Sequence, residues 1–180
     1  VIFIKGKIFN MRFFLIGVIL LSLSACAPPM RSQEMMPQFD FYDSLKENKY
    51  EDNIYIRNVE VAKGVGGASP VTPEEYRQAL VFAFRQADLY EKQEEAEYSL
   101  DAHMTEMDQP LMGFNMTVTA KADYSLYSIS NNNLVFKEIL SVPCTKGLGD
   151  AFDGGQRLRL TSGCAVGENI THLIKVISKK

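Results

Sequence analysis

The sequence predicts an α+β domain, a two-layer sandwich in which two helices cover one face of an antiparallel β-meander. In three segments after residue 95 apolar side chains recur at every second position, which is typical of strands with one wet face. In two others, Glu74–Tyr90 and the segment after Asp153, apolar side chains recur every three to four residues, which is typical of amphipathic helices. With a further strand at the start, the predicted order is β-α-β-β-β-α.

Ile54–Val61 is the first predicted strand. Ile54 and Ile56 alternate with polar residues, but the apolar positions then shift by one to Val59 and Val61. An extra residue in a strand causes such a shift, so the pattern predicts a β-bulge or a twisted edge within this strand.

The first helix is predicted to begin after Thr72 and to run to about Tyr90. Pro73 suits the first helical position, and Thr72 can accept a hydrogen bond from the backbone near Glu75, whose side chain can reach back to Thr72. The apolar stripe of this helix comprises Tyr76, Ala79, Leu80, Ala83, Phe84 and Ala87.

Three consecutive strands are predicted at Ala96–Met107, Phe114–Ser128 and Leu134–Val142. The turn signals Asp108-Gln109-Pro110 and Asn131-Asn132-Asn133 separate them. Tight turns of this kind join antiparallel neighbours, so the three strands should form the meander. Their predicted apolar sides include Tyr98, Leu100, Ala102, Met104, Phe114, Met116, Val118, Ala120, Ala122, Tyr124, Leu126, Leu134, Phe136, Leu140 and Val142.

The last helix is predicted to begin after Asp153, which can cap it together with Gln156, and to run to about Ser178. Gly163 and Gly167 lie within it, and each costs about 1 kcal/mol relative to alanine. We therefore expect them to allow close packing of this helix on the sheet. The apolar stripe comprises Leu158, Val166, Ile170, Leu173, Ile174 and Ile177.

The chain also carries an apolar run, Phe13–Leu23, that follows Arg12 and ends in Leu23-Ser24-Ala25-Cys26. The run is too short for a membrane-spanning helix, which needs roughly 20 apolar residues. It resembles the signal peptide of bacterial lipoprotein precursors, in which a lipobox is recognised, the cysteine receives diacylglycerol and the chain is cut before it. This resemblance implies recognition at Leu23, Ser24 and Ala25, and lipidation of Cys26. An ordinary signal peptide with an incidental cysteine, or a buried apolar helix, is the alternative.

Three regions follow from this interpretation. Residues 1–25 are upstream residues and signal peptide, residues 26–52 are the lipidated cysteine and a flexible tether rich in Pro and Met, and residues 53–180 are the α+β domain. Cleavage removes three of the 19 basic residues, which leaves 16 against 22 acidic residues and a net charge of −6. Because phosphate binding requires a basic face, nucleic acid is not expected as a partner.

Cysteine and histidine are sparse. Cys144 and Cys164 could form one disulfide in an oxidising compartment, or remain two buried thiols, and the sequence leaves both open. Together with His103 and His172 they show no metal-ligand spacing, so we expect no metal and no cofactor other than the lipid on Cys26.

No catalytic residue is predicted. His103 lies two residues from Asp101 on a polar strand face, where a base and an orienting carboxylate can be imagined, but such neighbours are usually solvated. Gly64-Val65-Gly66-Gly67 lacks the Lys-Ser/Thr pair of a phosphate loop. We therefore expect a protein that is not an enzyme; an unrecognised site would need acidic residues and a histidine to converge on the loops Lys63–Val71 and Lys146–Gly155.

The element order behind a lipobox resembles the lipopolysaccharide-assembly lipoprotein that plugs the outer-membrane translocon, and is similar to auxiliary lipoproteins of envelope transporters. The resemblance covers residues 54–178 and rests on this order, on the helix Glu74–Tyr90 and on the run Glu97-Tyr98-Ser99-Leu100-Asp101-Ala102. It implies a non-catalytic role that binds envelope lipid or scaffolds a membrane complex. No lipid-binding residue is carried over.

The expected protein is thus a lipoprotein of the outer membrane that faces the periplasm. Its lipid anchor would bind the membrane, and its partner would be an envelope protein complex, with lipopolysaccharide or phospholipid as a further ligand. A periplasmic enzyme and a purely structural lipoprotein are the alternatives. Several methionines predict either an adaptable contact surface or core filler: Met30, Met35, Met36, Met104, Met107, Met112 and Met116.

Overall fold

The computed structural model describes residues 28–37 and 49–179. Residues 1–25, Cys26 and residues 38–48 lie outside the described part of the chain, and so do the predictions that fall on them. Within the described ranges, no helix is both long and apolar enough to cross a membrane.

The predicted element order is confirmed. A short 3-10 helix, Ser32–Met35, precedes the domain. The domain then follows as β1 Ile54–Val61, α1 Pro73–Gln86, β2 Tyr98–Asp108, β3 Met116–Ser128, β4 Leu134–Lys146 and α2 Gly154–Ile177.

In the described part of the chain, the sheet has four strands in the order β1-β2-β3-β4. Strands β2, β3 and β4 pair antiparallel, as predicted for a meander. Strand β1 pairs with β2 in parallel, because α1 carries the chain back to the starting end of the sheet. The sheet is therefore mixed, and β1 and β2 end at the same edge of the domain.

The predicted bulge in β1 is confirmed, since the pairing register with β2 shifts between Ile56 and Asn58. Helix α1 ends earlier than predicted, at Gln86 instead of Tyr90. Asp88 adopts a positive φ of 51°, which stops the helix, and Tyr90 forms a bridge to Ile54 beside the sheet.

Strand β4 extends to Lys146, beyond the predicted end at Val142, and two residues predicted on apolar strand faces are exposed. Phe114 was expected on the apolar face of β3, but the strand begins at Met116 and Phe114 is exposed. Leu134 was expected on the apolar face of β4 but is half exposed, because the β3–β4 register shifts between Leu126 and Tyr127. Alternation of residues alone does not show where pairing begins or slips.

Both predicted N-caps are present. The Thr72 hydroxyl accepts from Glu75 N at 3.3 Å, and Asp153 Oδ1 accepts from Gln156 N at 2.7 Å. The Glu75 carboxylate does not return to Thr72, since it accepts instead from Ser32 N at 2.6 Å.

The helices cover one face of the sheet, and a buried polar network joins the layers. Tyr76 on α1 donates to the Tyr124 hydroxyl at 2.6 Å, and Tyr124 on β3 donates to Asn169 Oδ1 on α2 at 2.8 Å. The Asn169 amide donates to the carbonyl oxygens of Ala120 and Leu140. Complete burial raises the pKa of both tyrosines, so the network stays neutral and satisfied.

Candidate functional site

One end of the domain collects four chain segments. The parallel pair β1–β2 directs the β1–α1 loop and the β2–β3 loop to this end, and the β4–α2 loop joins them there. The segment before the domain reaches it too, since Met30 N donates to Pro70 O at 2.8 Å. Gln109, in the β2–β3 loop, donates to the Ser162 hydroxyl of α2 at 2.8 Å.

Residues 28–37, here called the N-terminal clasp, are part of the packed domain. Met30 and Met35 are fully buried in the core. The prediction of a flexible tether over residues 26–52 is therefore wrong for the clasp. The Pro-rich composition suggested an extended tether, but two methionines anchor the clasp between the two helices.

Arg159 on α2 holds the start of the clasp. Its guanidinium donates to the carbonyl oxygens of Pro28 and Pro29, each at 2.9 Å. It also forms a two-bond ion pair with Glu34, at 2.7 and 2.8 Å. The Arg159 guanidinium lowers the pKa of Glu34, and Glu34 in turn raises the pKa of Arg159. The clasp thus begins beside the second turn of α2.

Two glycines of α2 leave room for the backbone of the clasp to approach the helix. A Cβ at Gly163 would overlap the carbonyl oxygen of Glu34, and one at Gly167 would lie 3.0 Å from the carbonyl oxygen of Met36. The two glycines were expected to allow packing on the sheet. The structure shows that they allow backbone approach of the clasp instead.

The clasp also binds α1. Ser32 N donates to the Glu75 carboxylate, and the Ser32 hydroxyl bonds to Gln78 Oε1 at 3.3 Å. Because one short segment contacts both helices, it fixes the route by which the chain enters the domain.

Next to this entry lies a group of exposed apolar side chains, here called the apolar tip. Three come from the β2–β3 loop and two from the β4–α2 loop: Leu111, Met112, Phe114, Leu148 and Phe152. They surround an open pocket of about 630 Å³ whose floor includes Met116 and Leu158. Large side chains of this kind normally contribute to stability by burial, so a cluster of them in solvent indicates a contact surface.

Arg157 holds the two loops of the tip together. It is 5 % exposed, and its guanidinium donates to Ala151 O at 2.7 Å and to Gly113 O at 2.9 Å. A longer bond reaches Phe152 O at 3.3 Å. Among the described residues no carboxylate pairs with Arg157, and its Nε has no hydrogen-bond partner. In the sequence, nothing distinguishes Arg157 from any other basic residue of a helix.

The methionines divide between core and surface. Met30, Met35 and Met104 are fully buried, and Met116 is nearly so. Met112 is exposed in the apolar tip. The alternative of core filler therefore describes most of the set, and the contact surface is confined to the tip.

A second groove, of about 500 Å³, lies between the clasp, α2 and the β4–α2 loop. Its charged lining comprises Glu34, Lys146, Asp150 and Glu168. Lys146 pairs with Asp150 at 3.4 Å, and the backbone N–H of Gly147 lowers the pKa of the Asp150 carboxyl. Glu34 and Asp150 are thus held ionised by fixed partners, and no histidine lines the groove.

The open face of the sheet carries a different set of side chains. Arg57 on β1 makes two hydrogen bonds with the Asp101 carboxylate on β2, at 2.8 and 2.6 Å, and stacks on the Tyr127 ring with 4.6 Å to its centroid. Asp101 raises the pKa of Arg57. His103 is half-buried on the same face, with Asp123 opposite it on β3. Asp101 is thus occupied by Arg57, so the imagined pairing of His103 with Asp101 is not formed.

The glycine-rich loop between β1 and α1 is a tight connector. Gly64 and Gly66 adopt positive φ values of 85° and 86°. Ser69 N donates back to Gly66 O at 2.5 Å, which closes a turn within the loop.

The remaining predicted site residues stand as follows. Cys144 on β4 and Cys164 on α2 are joined by a disulfide, with their Cα atoms 5.9 Å apart. Leu23, Ser24, Ala25 and Cys26 lie outside the described residues. Across residues 28–37 and 49–179, no group of three or more His, Cys, Asp or Glu side chains could hold a metal ion.

Comparisons with known proteins identify the fold. No protein-family model and no curated protein matches the sequence. Protein XCC0632 from Xanthomonas campestris, of family DUF330, is similar in structure, with a TM-score of 0.56, 12% identity, and coverage of 74% of this chain and 90% of that one. A minor lipoprotein from Acinetobacter baumannii has a TM-score of 0.46, 9% identity, and coverage of 72% and 92%. Lipoprotein GNA1162 from Neisseria meningitidis has a TM-score of 0.39, 10% identity, and coverage of 71% and 97%. At these identities, what this chain has in common with XCC0632 is the fold.

Proposed function

We propose that this chain is a lipoprotein of the outer membrane that faces the periplasm and serves as a non-catalytic binding subunit of an envelope complex. The observation that carries the proposal is the N-terminal clasp. Pro28 lies two residues after the predicted lipidation site Cys26, and its carbonyl oxygen accepts a hydrogen bond from Arg159 on α2. A lipid on Cys26 would therefore hold the folded domain at the membrane surface, where a subunit of a membrane complex belongs.

The disulfide agrees with this location. Structural disulfides persist in oxidising compartments such as the periplasm and are rare in the cytosol. Cys144 and Cys164 join β4 to α2 close to the end at which the clasp enters.

The open sheet face is the proposed binding surface for an envelope protein. Strand β4 is an edge strand of 13 residues, and Ile139 is 54% exposed in its middle. Edge strands and half-apolar sheet faces are surfaces that partner proteins can cover. Lipopolysaccharide or phospholipid transport is the process in which we place this complex.

Two experiments test the proposal. Mass spectrometry of the purified full-length product should find an N-terminal cysteine with diacylglycerol and no residues 1–25; an unmodified N-terminus would contradict the anchor. A photoreactive amino acid at Ile139 should then capture a defined envelope protein in intact cells. The control is the same probe at Glu94, an exposed position in the α1–β2 loop. Equal capture at both positions would refute the open face as the binding surface.

A further inference from the structure

We propose that the apolar tip inserts into the lipid bilayer beside the anchor, so that the domain binds the membrane at a second point. This inference rests on the proposed function, because the predicted lipid on Cys26 is what brings the domain to a bilayer. The partner of the apolar tip is the interfacial layer of a phospholipid bilayer, whose acyl chains would contact the exposed apolar side chains.

The exposure of the tip is extreme for side chains of this size. Leu111 is 98% exposed, Phe152 90%, Met112 84% and Phe114 79%. These side chains contribute little to the core, so folding does not explain them. Among the residues that line their pocket, the charged one is Arg157, and its guanidinium is directed inward onto backbone carbonyl oxygens. Asp150 and Asp153, the exposed carboxylates of the β4–α2 loop, do not line this pocket and accept from Gly147 N and Gln156 N. The lining that would meet the acyl chains is therefore apolar apart from Arg157, as insertion requires.

The two loops of the apolar tip are also fixed to each other by hydrogen bonds. Arg157 ties Gly113 of one loop to Ala151 of the other, and α2 begins directly behind them at Gly154. Because the two loops are fixed to each other, the apolar side chains present one surface to a flat partner instead of collapsing onto the domain.

The position of the predicted lipid anchor on Cys26 favours the bilayer as the partner of the apolar tip. Arg159 binds Pro28 and Pro29, and it lies five residues after the first residue of α2, which corresponds to about 7.5 Å along the helix axis. Two residues connect Pro28 to Cys26 and span at most about 7 Å. A lipid on Cys26 would therefore enter the membrane within reach of the tip. Interfacial segments bury their apolar face by about 5–10 Å.

The chain contains no tryptophan, so a single introduced tryptophan reports its own surroundings. We would place it at Phe152 (Phe152→Trp) in the tip. The matched control is Ile129→Trp, an exposed apolar position at the turn after β3. The 13 residues of β3 separate the two ends of the sheet by about 40 Å. The full-length lipidated protein is reconstituted into vesicles of phosphatidylethanolamine and phosphatidylglycerol, with and without lipids brominated on their acyl chains.

The expected result is a blue-shifted Phe152→Trp emission that brominated lipid quenches several-fold more strongly than it quenches Ile129→Trp. Equal, water-like emission from both variants on vesicles that carry the protein would overturn the insertion and leave the anchor intact. A blue shift that grows with the protein-to-lipid ratio and resists brominated lipid would mean contact with a second copy, and would also overturn it. Protein that fails to float with the vesicles would refute both the insertion and the anchor.

Discussion

The two ends of the sheet differ sharply although the same strands connect them. At one end the loops expose the apolar tip and receive the N-terminal clasp. At the other end the α1–β2 loop is acidic and the β3–β4 turn is polar, with Glu91, Glu94, Glu95, Glu97, Asn131, Asn132 and Asn133. The strands therefore do not determine the surface character of an end; the connections do.

The opposite end follows the ordinary chemistry of turns in water. Asn132 takes a positive φ of 55°, and Asn131 Oδ1 accepts from Asn133 N at 3.0 Å. The tip has large apolar side chains at equivalent loop positions, at a cost in solubility. This difference indicates that the tip is a contact surface and that the opposite end faces water. The predictions below test how far the tip end depends on its special contacts.

Removal of the disulfide should have the largest effect on the free energy of unfolding. In the double variant Cys144→Ala/Cys164→Ala the free energy of unfolding should fall by about 3 kcal/mol, since the bond closes a loop of this length. The two cysteines are 20 residues apart. Urea unfolding with and without reductant measures the change. Reductant should destabilise the natural protein to the level of the variant and leave the variant unchanged; equal stability of both oxidised proteins would contradict the prediction.

The next effect should come from Gly163→Ala. The new methyl group would overlap the Glu34 carbonyl oxygen, so the clasp must move or α2 must shift, at a cost of about 1–3 kcal/mol. Hydrogen exchange should become faster in residues 30–36. The matched control is Gly149→Ala, where no atom lies within 4 Å of the added group and exchange should not change. Unaltered clasp protection in Gly163→Ala would show that the glycine is not required there.

Arg157→Met should change the tip more than the stability. The guanidinium is a buried charge without a carboxylate, so its removal recovers desolvation free energy while three hydrogen bonds are lost, and the net change should be within about 1 kcal/mol. The backbone N–H order parameters of Gly113 and Phe152, measured by NMR relaxation, should fall because the two loops are no longer joined. The control is Arg77→Met, which also removes bonds to backbone carbonyl oxygens, of Ile56 and Arg57, but far from the tip. Equal order parameters of the tip loops in the two variants would contradict the role of Arg157.

Local patterns predicted most of the fold. The two-residue alternation of β2 and β3, the three-to-four spacing of the helices and the caps at Thr72 and Asp153 all correspond to the structure. Even the bulge in β1 is visible as a shift of apolar positions from Ile56 to Val59. These features depend on neighbouring residues, so a single sequence contains them.

The candidate site could be predicted only in part, because its contacts join distant residues. The clasp has the composition of a flexible tether. Its packing depends on Gly163 and Arg159 in α2, and Arg159 lies 125 residues after its partner Glu34. The tip was missed for a related reason. The two-residue alternation of apolar side chains predicts Phe114 on the buried face of β3. The neighbouring residues do not show that pairing with β4 starts only at Met116. The spacing of the two helical glycines was the one available signal, and it did not identify the segment that they receive.

The smallest predicted effect concerns pH and the ion pair that holds the clasp. Because Arg159 lowers the pKa of Glu34 below its ordinary value of 4.5, the ionised pair stabilises the folded state at pH values above that range. The contribution is lost as pH falls through the folded-state pKa, since the protonated carboxyl no longer forms the pair. For a partly exposed pair it should be about 1 kcal/mol or less.

Glu34→Gln should therefore lower clasp protection at pH 7 and remove the part of the pH dependence that the natural protein shows as the pH falls below the ordinary carboxyl value of 4.5. Hydrogen exchange of residues 30–36 on both sides of that value measures it. Asp150 lines the same groove and also has a lowered pKa, so a double-mutant cycle with Arg159→Gln isolates the pair. If Glu34→Gln still lowered protection to the same extent after Arg159 had been replaced, Glu34 would act through another contact, the bond that it accepts from Arg31 N, and the ion pair would not hold the clasp.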